Sequence, residues 1–183
     1  MRIARIAGGD VRQRRSFRLL TPVVFVGFSA AALFVAIDGF SNQGVDEVRG
    51  GALVMAVGAF CVRITRSRIH LRGRSLVIVN PLFWFDIPYE LIYRAEVSSG
   101  GSLAVRLKGE TEEDDEPFAV GFAGSLLDHY FKTTDRVVRE INKAKKSAPK
   151  GGEATQSKGF ALDVLADFQV ACAVLLLLSS LVV

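Results

Sequence analysis

From Leu19 to Ile37 the chain runs 19 residues without a charged side chain, close to the roughly 20 that a helix needs to cross the hydrocarbon of a bilayer. A helix that is apolar on every side needs apolar surroundings on every side, which a small water-soluble domain cannot supply. A secretory signal also joins a basic start to an oily core, but its core is usually about 7 to 15 residues and ends at a small-residue cleavage site. This core is longer and no such site follows it, so the segment is expected to stay in the protein as a transmembrane helix. Pro22 is expected in its first turn, where a missing N–H costs little.

Two weaker apolar blocks follow. Gly50 to Val62 is uncharged but too short to span unaided, so Val45 to Ile64 is expected to cross only if Arg49 and Arg63 snorkel to the headgroups. Gly27 and Ala31 in the first block, with Ala52 and Ala56 in the second, are small enough to let two helices approach as a hairpin. Phe168 to Val183 is an uncharged tail of 16 residues. With Asp163 and Asp167 near the interface, where acids suit a helix N-terminus, Leu162 to Val183 reads as a third span.

Basic residues orient these segments, since short loops rich in Lys and Arg stay in the cytoplasm. Six arginines precede the first block (Arg2, Arg5, Arg12, Arg14, Arg15, Arg18). Asp38, Asp46 and Glu47 outnumber Arg49 between the first and second, and Arg63, Arg66, Arg68, Arg72 and Arg74 follow the second. Lys143, Lys145, Lys146, Lys150 and Lys158 lie before the tail. The expected arrangement is a multi-pass protein of the plasma membrane with its N-terminus and central region cytoplasmic and its C-terminus outside.

The central region has the two-residue alternation of half-buried strands. Leu103, Val105 and Leu107 alternate with Ala104, Arg106 and Lys108, and Ile69 and Leu71 alternate with Arg68, His70 and Arg72. Arg72-Gly73-Arg74 then offers a hairpin turn into Ser75 to Asn80. Phe83, Phe85 and Ile87 share one parity, Leu91 to Val97 is a further strand candidate, and Ser98 to Ser102 is a turn. The acidic run Glu110 to Glu116 is expected as a solvated loop and Phe118 to Phe122 as a last strand. Ser125 and Asp128 suit a helix start, and Leu127, Tyr130, Phe131, Val138 and Ile141 fall at helical spacing, as one core-facing stripe. Ala144 to Gly159, rich in Lys, Gly and Ser, is expected as a flexible tether.

A series of short strands closed by one amphipathic helix resembles a pleckstrin-homology (PH)-like domain. More specifically, Arg63-Ile64-Thr65-Arg66, Val79-Asn80-Pro81-Leu82-Phe83 and above all Asp86-Ile87-Pro88-Tyr89-Glu90-Leu91-Ile92 are similar to segments of the bacterial PH-like membrane proteins of actinobacteria, over roughly Arg18 to Lys146. The chain departs from that pattern at Tyr89, where Trp is common, and in its third apolar block. The resemblance implies a membrane protein with two helices leading into an α+β domain, an antiparallel sheet or barrel closed by a C-terminal helix. The divisions expected are a basic N-terminus over 1–18, two transmembrane helices over 19–64, the PH-like domain over 65–146, a linker over 147–160 and a C-terminal transmembrane helix over 161–183.

Function is expected to be binding rather than catalysis. His70 and His129 belong to no Cys/His or His/carboxylate metal pattern and are expected at the surface or an edge. Cys61 and Cys172 fall in apolar segments and are expected to pack there, and Gly100-Gly101 lacks the Lys and the strand-to-helix setting of a phosphate loop. No cofactor or metal is expected. Arg66, Arg68 and Arg72 share strand parity and, with Arg74, resemble the basic first hairpin with which many PH domains hold lipid headgroups, each such charge being worth about 1 kcal/mol at an anionic leaflet. Leu82 and Trp84, on the parity opposite Phe83 and Phe85, are candidates for covering a partner or for completing the core. The expected partners are anionic lipid headgroups or another membrane protein. Nucleic acid is not expected, since topology-setting arginines already account for the basic balance. A membrane-tethered binding or scaffold module and an accessory subunit of a larger membrane complex both fit; the oligomeric state is not legible.

Overall fold

A computed structural model describes residues 9–42, 44–99, 101–109, 119–122, 133–149, 151 and 155–182. The chain divides into two compact units, a sheet unit formed by Met1–Arg14 and Ser67–Ala161, and a helical unit formed by Arg15–Arg66 and Leu162–Val183.

The sheet unit holds seven described strands, β1 (Asp10–Arg12), β2 (Arg68–Leu71), β3 (Ser75–Val79), β4 (Phe83–Pro88), β5 (Ile92–Val97), β6 (Leu103–Leu107) and β7 (Ser157–Phe160). Five form an antiparallel sheet in the order β1-β2-β3-β4-β7, and β5 pairs antiparallel with β6. Register puts apolar side chains opposite one another on one face: Ile69 faces Ile78, which faces Phe85, and Leu76 faces Ile87. These side chains meet Ile92, Ala95, Leu103, Val105 and Leu107 from the smaller sheet in one core. The alternation of Leu103, Val105 and Leu107 is the alternation of burial along β6, as strand geometry requires.

One helix of this unit, α3 (Thr133–Ser147), adds Val137 and Ile141 to the core. Its Asn142 side chain meets β5 as a neighbouring strand would: Nδ2 donates to the Ala95 carbonyl at 2.9 Å and Oδ1 accepts from the Ala95 N–H at 3.3 Å. Asn142→Ala is therefore expected to cost about 1–2 kcal/mol by leaving two backbone groups without their partner. Hydrogen exchange should report faster amide exchange at Ala95, with the β6 amides little changed.

Both edge strands come from segments that the sequence assigned elsewhere. β1 lies within the expected basic N-terminus, where Arg12 Nε donates to Glu140 of α3 at 2.5 Å. β7 lies within the expected flexible tether, yet it pairs with β4 from Phe83↔Phe160 to Asp86↔Ser157. Gly159 makes that pairing possible, because a Cβ there would sit 2.6 Å from the Trp84 indole. Val120–Phe122, expected in a strand, is a 3-10 turn that buries Phe122 and donates the Val120 N–H to Asn80 Oδ1 at 2.9 Å. The acidic run Glu110 to Glu116, the proposed helix start at Ser125 and Asp128, and Leu127, His129, Tyr130 and Phe131 lie outside the described residues.

Burial tends to raise the Glu140 carboxyl, but hydrogen bonds from Arg12 and Arg136 outweigh it and hold the group below its ordinary range. The sign follows from linkage: a carboxyl lowered by folding adds stability above its unfolded value of about 4.3, and that contribution is lost as pH falls through the lower folded value. Arg12→Gln is thus expected to destabilise the sheet unit at pH 7, with the gap from wild type closing below about pH 4. Unfolding midpoints at the two pH values check this, and a gap of equal size at both would contradict it.

The helical unit comprises α1 (Arg15–Asn42), α2 (Val45–Thr65) and α4 (Val164–Ser179). At about 1.5 Å per residue, α1 and α2 are long enough for a hydrocarbon layer of about 30 Å, and both are apolar enough to cross one. With 16 residues, α4 is shorter than the span expected over 161–183. Because α1 starts at Arg15, Pro22 lies inside the helix and not in its first turn.

The α1–α2 hairpin closes on small residues, but not the expected set. Gly27, Ala31 and Ala56 are exposed, and a Cβ added at Gly27 meets nothing within 4 Å. Of the expected residues Ala52 is buried, joined by Ala32, Ala36 and Ala59. Gly51 lies against the Ala32 carbonyl, and Gly58 lies against Phe28. Helical phase decides between the sets, since residues four apart share a face but only one face meets the partner. Most of α1 remains uncovered, with Leu19, Val23, Val26, Phe34 and Ile37 all more than half exposed.

Candidate functional site

The four arginines singled out in the sequence do not form one basic face. Arg66 lies before β2, as the C-cap of α2, and pairs with Asp163 at 2.7 Å in the helical unit. Arg68, at the start of β2, donates from Nε to His70 Nε2 at 3.1 Å. His70, expected near the surface, is only 5% exposed, because it faces Val77, and Val77 faces Asp86, in the middle of the five-stranded sheet. Arg72 pairs with Asp86 at 3.3 Å. Arg74, in the β2–β3 turn, is exposed.

Leu82 and Trp84 also part company. Leu82 is exposed in the β3–β4 turn, while Trp84 packs on Val77, Val79 and Ala161. Trp84 therefore completes a small apolar cluster on the far side of the sheet, and Leu82 is left at the surface. Phe83 and Phe160, 42% and 55% exposed, extend that surface. They share a register row, and their rings meet edge to face with centroids 5.9 Å apart.

In the helical unit, charge is concentrated where α2 ends and α4 begins. Arg63, only 9% exposed at its side chain, pairs with Asp167. Asp163 caps α4 by accepting the Ala166 N–H at 3.2 Å, and the Asp167 carboxylate accepts the Asp163 N–H at 2.9 Å. The two acids thus serve the helix N-terminus as expected, but each also has an arginine partner on α2. Arg63 is bound to α4, whereas the sequence reading sent it to the headgroups. Arg49 is exposed beside Asp46.

Further along, Gln169 is 1% exposed and donates to Ser29 Oγ at 2.9 Å and to the Phe25 carbonyl at 3.3 Å on α1. Thr21 Oγ1 donates to Thr65 Oγ1 at 3.0 Å between α1 and α2. Such bonds hold apolar helices together where no hydrophobic driving force exists between them. Gln169 was missed in the sequence, where its only signal is a lone amide in an apolar run.

These arrangements lock helices and present a surface. Tyr89, between β4 and β5, is 2% exposed and burial pushes its phenol up to about 12, so it stays neutral at physiological pH. Burial and then the nearby Lys108 lower the Lys145 ammonium. Cys61 and Cys172 are free thiols, each partly buried. Among the described residues, no three His, Cys, Asp or Glu side chains come together as a metal site. Comparison with protein-family models, curated proteins and solved structures finds no match.

Proposed function

We propose that the protein is a membrane-anchored, non-catalytic PH-like module at the inner face of the plasma membrane, which binds anionic lipid or a protein partner through its sheet unit. The observation that carries this reading is the pairing of β1, which precedes α1, with β2, which follows α2. The α1–α2 hairpin leaves one sheet and returns to it, so both of its ends belong on one side of a bilayer. That agrees with the basic, acidic, basic order of the flanking segments. The uncovered apolar side chains of α1 suit hydrocarbon and not water.

Two antiparallel sheets over one core, with α3 packed against β5, support the PH-like resemblance. The lipid reading is narrower than four arginines: Arg66, Arg68 and Arg72 are engaged by Asp163, His70 and Asp86, and Arg74, exposed in the β2–β3 turn, is the basic residue to examine. The second reading, an accessory subunit of a larger membrane complex, draws on the exposed α4 side chains Phe168, Leu175 and Leu178, which are available to a neighbouring helix.

Reporter fusions at the N-terminus, near Gly151 and after Val183 test the topology, with the first two expected inside the cell and the third outside. A Gly151 reporter active outside would overturn the proposal. In vesicles, the full-length chain should recruit anionic lipid in a salt-sensitive manner that Arg74→Glu weakens. A stoichiometric partner retained in detergent together with no lipid preference would favour the subunit reading.

A further inference from the structure

Three strands of the five-stranded sheet meet their connections to the apolar helices at one end of that sheet. β1 ends at Arg12 and α1 begins at Arg15; α2 ends at Thr65 and β2 begins at Arg68; β7 ends at Phe160 and Asp163 caps α4. Arg12 pairs with Ile69, Arg68 with Val79, Val79 with Trp84 and Phe83 with Phe160, so all three connections leave from the same end. That end also carries the exposed side chains of Leu82, Phe83 and Phe160. The Lys158 ammonium lies 4.8 Å from the Phe83 ring centroid and 5.3 Å from that of Phe85.

We infer that Leu82, Phe83, Phe160 and Lys158 form a foot that enters the headgroup–acyl boundary of the bilayer holding α1 and α2, an inference that rests on the membrane-anchored reading. The reach of the chain selects lipid as the occupant. An extended residue spans at most about 3.6 Å, so the connection from Phe160 to Asp163 covers about 10 Å. A tether this short keeps the strand end within reach of the headgroups around an inserted helix.

The chemistry agrees with this. Aromatic and aliphatic side chains gain by leaving water at the acyl boundary. The Lys158 ammonium, held over the Phe83 and Phe85 rings, adds a positive charge that suits lipid phosphate. Edge-to-face packing of Phe83 and Phe160 holds the two rings as one wedge. The basic arginines at the β2–β3 turn are not part of this patch.

Trp84 is the sole tryptophan, which makes fluorescence quenching a direct test. The full-length chain carrying Trp84→Phe is reconstituted into phosphatidylcholine–phosphatidylglycerol vesicles with either Phe160→Trp or Tyr93→Trp, the latter replacing an exposed residue of β5. With lipids brominated near the headgroup, the Phe160→Trp signal is expected to fall at least about twofold, and less with lipids brominated deep in the chain. Tyr93→Trp should be unaffected by either. Phe83→Trp supplies a second reporter should Phe160→Trp disturb the β4–β7 pairing. Absence of quenching at both positions, in vesicles whose protein resists carbonate extraction, overturns the foot and leaves the anchor standing. Release of the protein by carbonate overturns the anchored reading and the foot with it.

Discussion

Gly51→Leu is expected to open the α1–α2 hairpin and to lower the thermal midpoint of the helical unit in detergent. A Cβ at Gly51 would sit 2.8 Å from the Ala32 carbonyl oxygen and 3.2 Å from Ala36 Cβ. The first of these contacts is backbone, so no rotamer change relieves it, and leucine adds three further carbons. The cost is placed near the top of the range for overpacking, about 3 kcal/mol. Gly27→Leu is the matched control: nothing lies within 4 Å of a Cβ there, and its effect should stay within about 0.5 kcal/mol. Equal midpoints for the two variants would show that helix contact through Gly51 does not hold the hairpin.

Arg63→Leu should loosen α4 from α2. Its guanidinium is nearly buried against Asp167, and removing one member of such a pair leaves the other charge unmatched in an apolar setting, typically at about 3–5 kcal/mol. The partial exposure of Asp167 argues for the lower end, about 3 kcal/mol. Cys172, which packs on the cluster of Ala32, Met55 and Ala173, gives a local readout: its maleimide labelling should accelerate in Arg63→Leu. Exchanging the charges, Arg63→Asp with Asp167→Arg, should restore slow labelling. Unchanged labelling in the single variant, or no recovery in the exchange, would mean that the pair does not hold α4 in place.

A strand with a clean two-residue alternation was legible in the sequence, as β6 illustrates, because one buried face imposes that period on the residues themselves. Val45 to Ile64 was legible as a helix to within a residue, since length and apolar content are local properties. β1 and β7 were not legible. Each is a short segment of mixed polarity that becomes a strand only by pairing with a distant partner, and the Lys, Gly and Ser that made 147–160 read as a tether are the residues that edge strands tolerate. Gly159, read there as a mark of flexibility, is required for close approach to Trp84. The basic hairpin failed as one face for a related reason. Parity predicted which side of a strand Arg68, His70 and Arg72 share, but not that α2 would run through Thr65 and leave Arg66 off the strand.

The sequence by itself determined which segments avoid water, which strands have an apolar face and where positive charge accumulates, because these depend on residue type and spacing. Tertiary structure alone decided which small residues face one another across α1 and α2, which acids neutralise Arg63 and Arg66, and that the chain on either side of the hairpin joins one sheet. Those outcomes depend on helical phase and strand register between separate segments of the chain, and no local period encodes them.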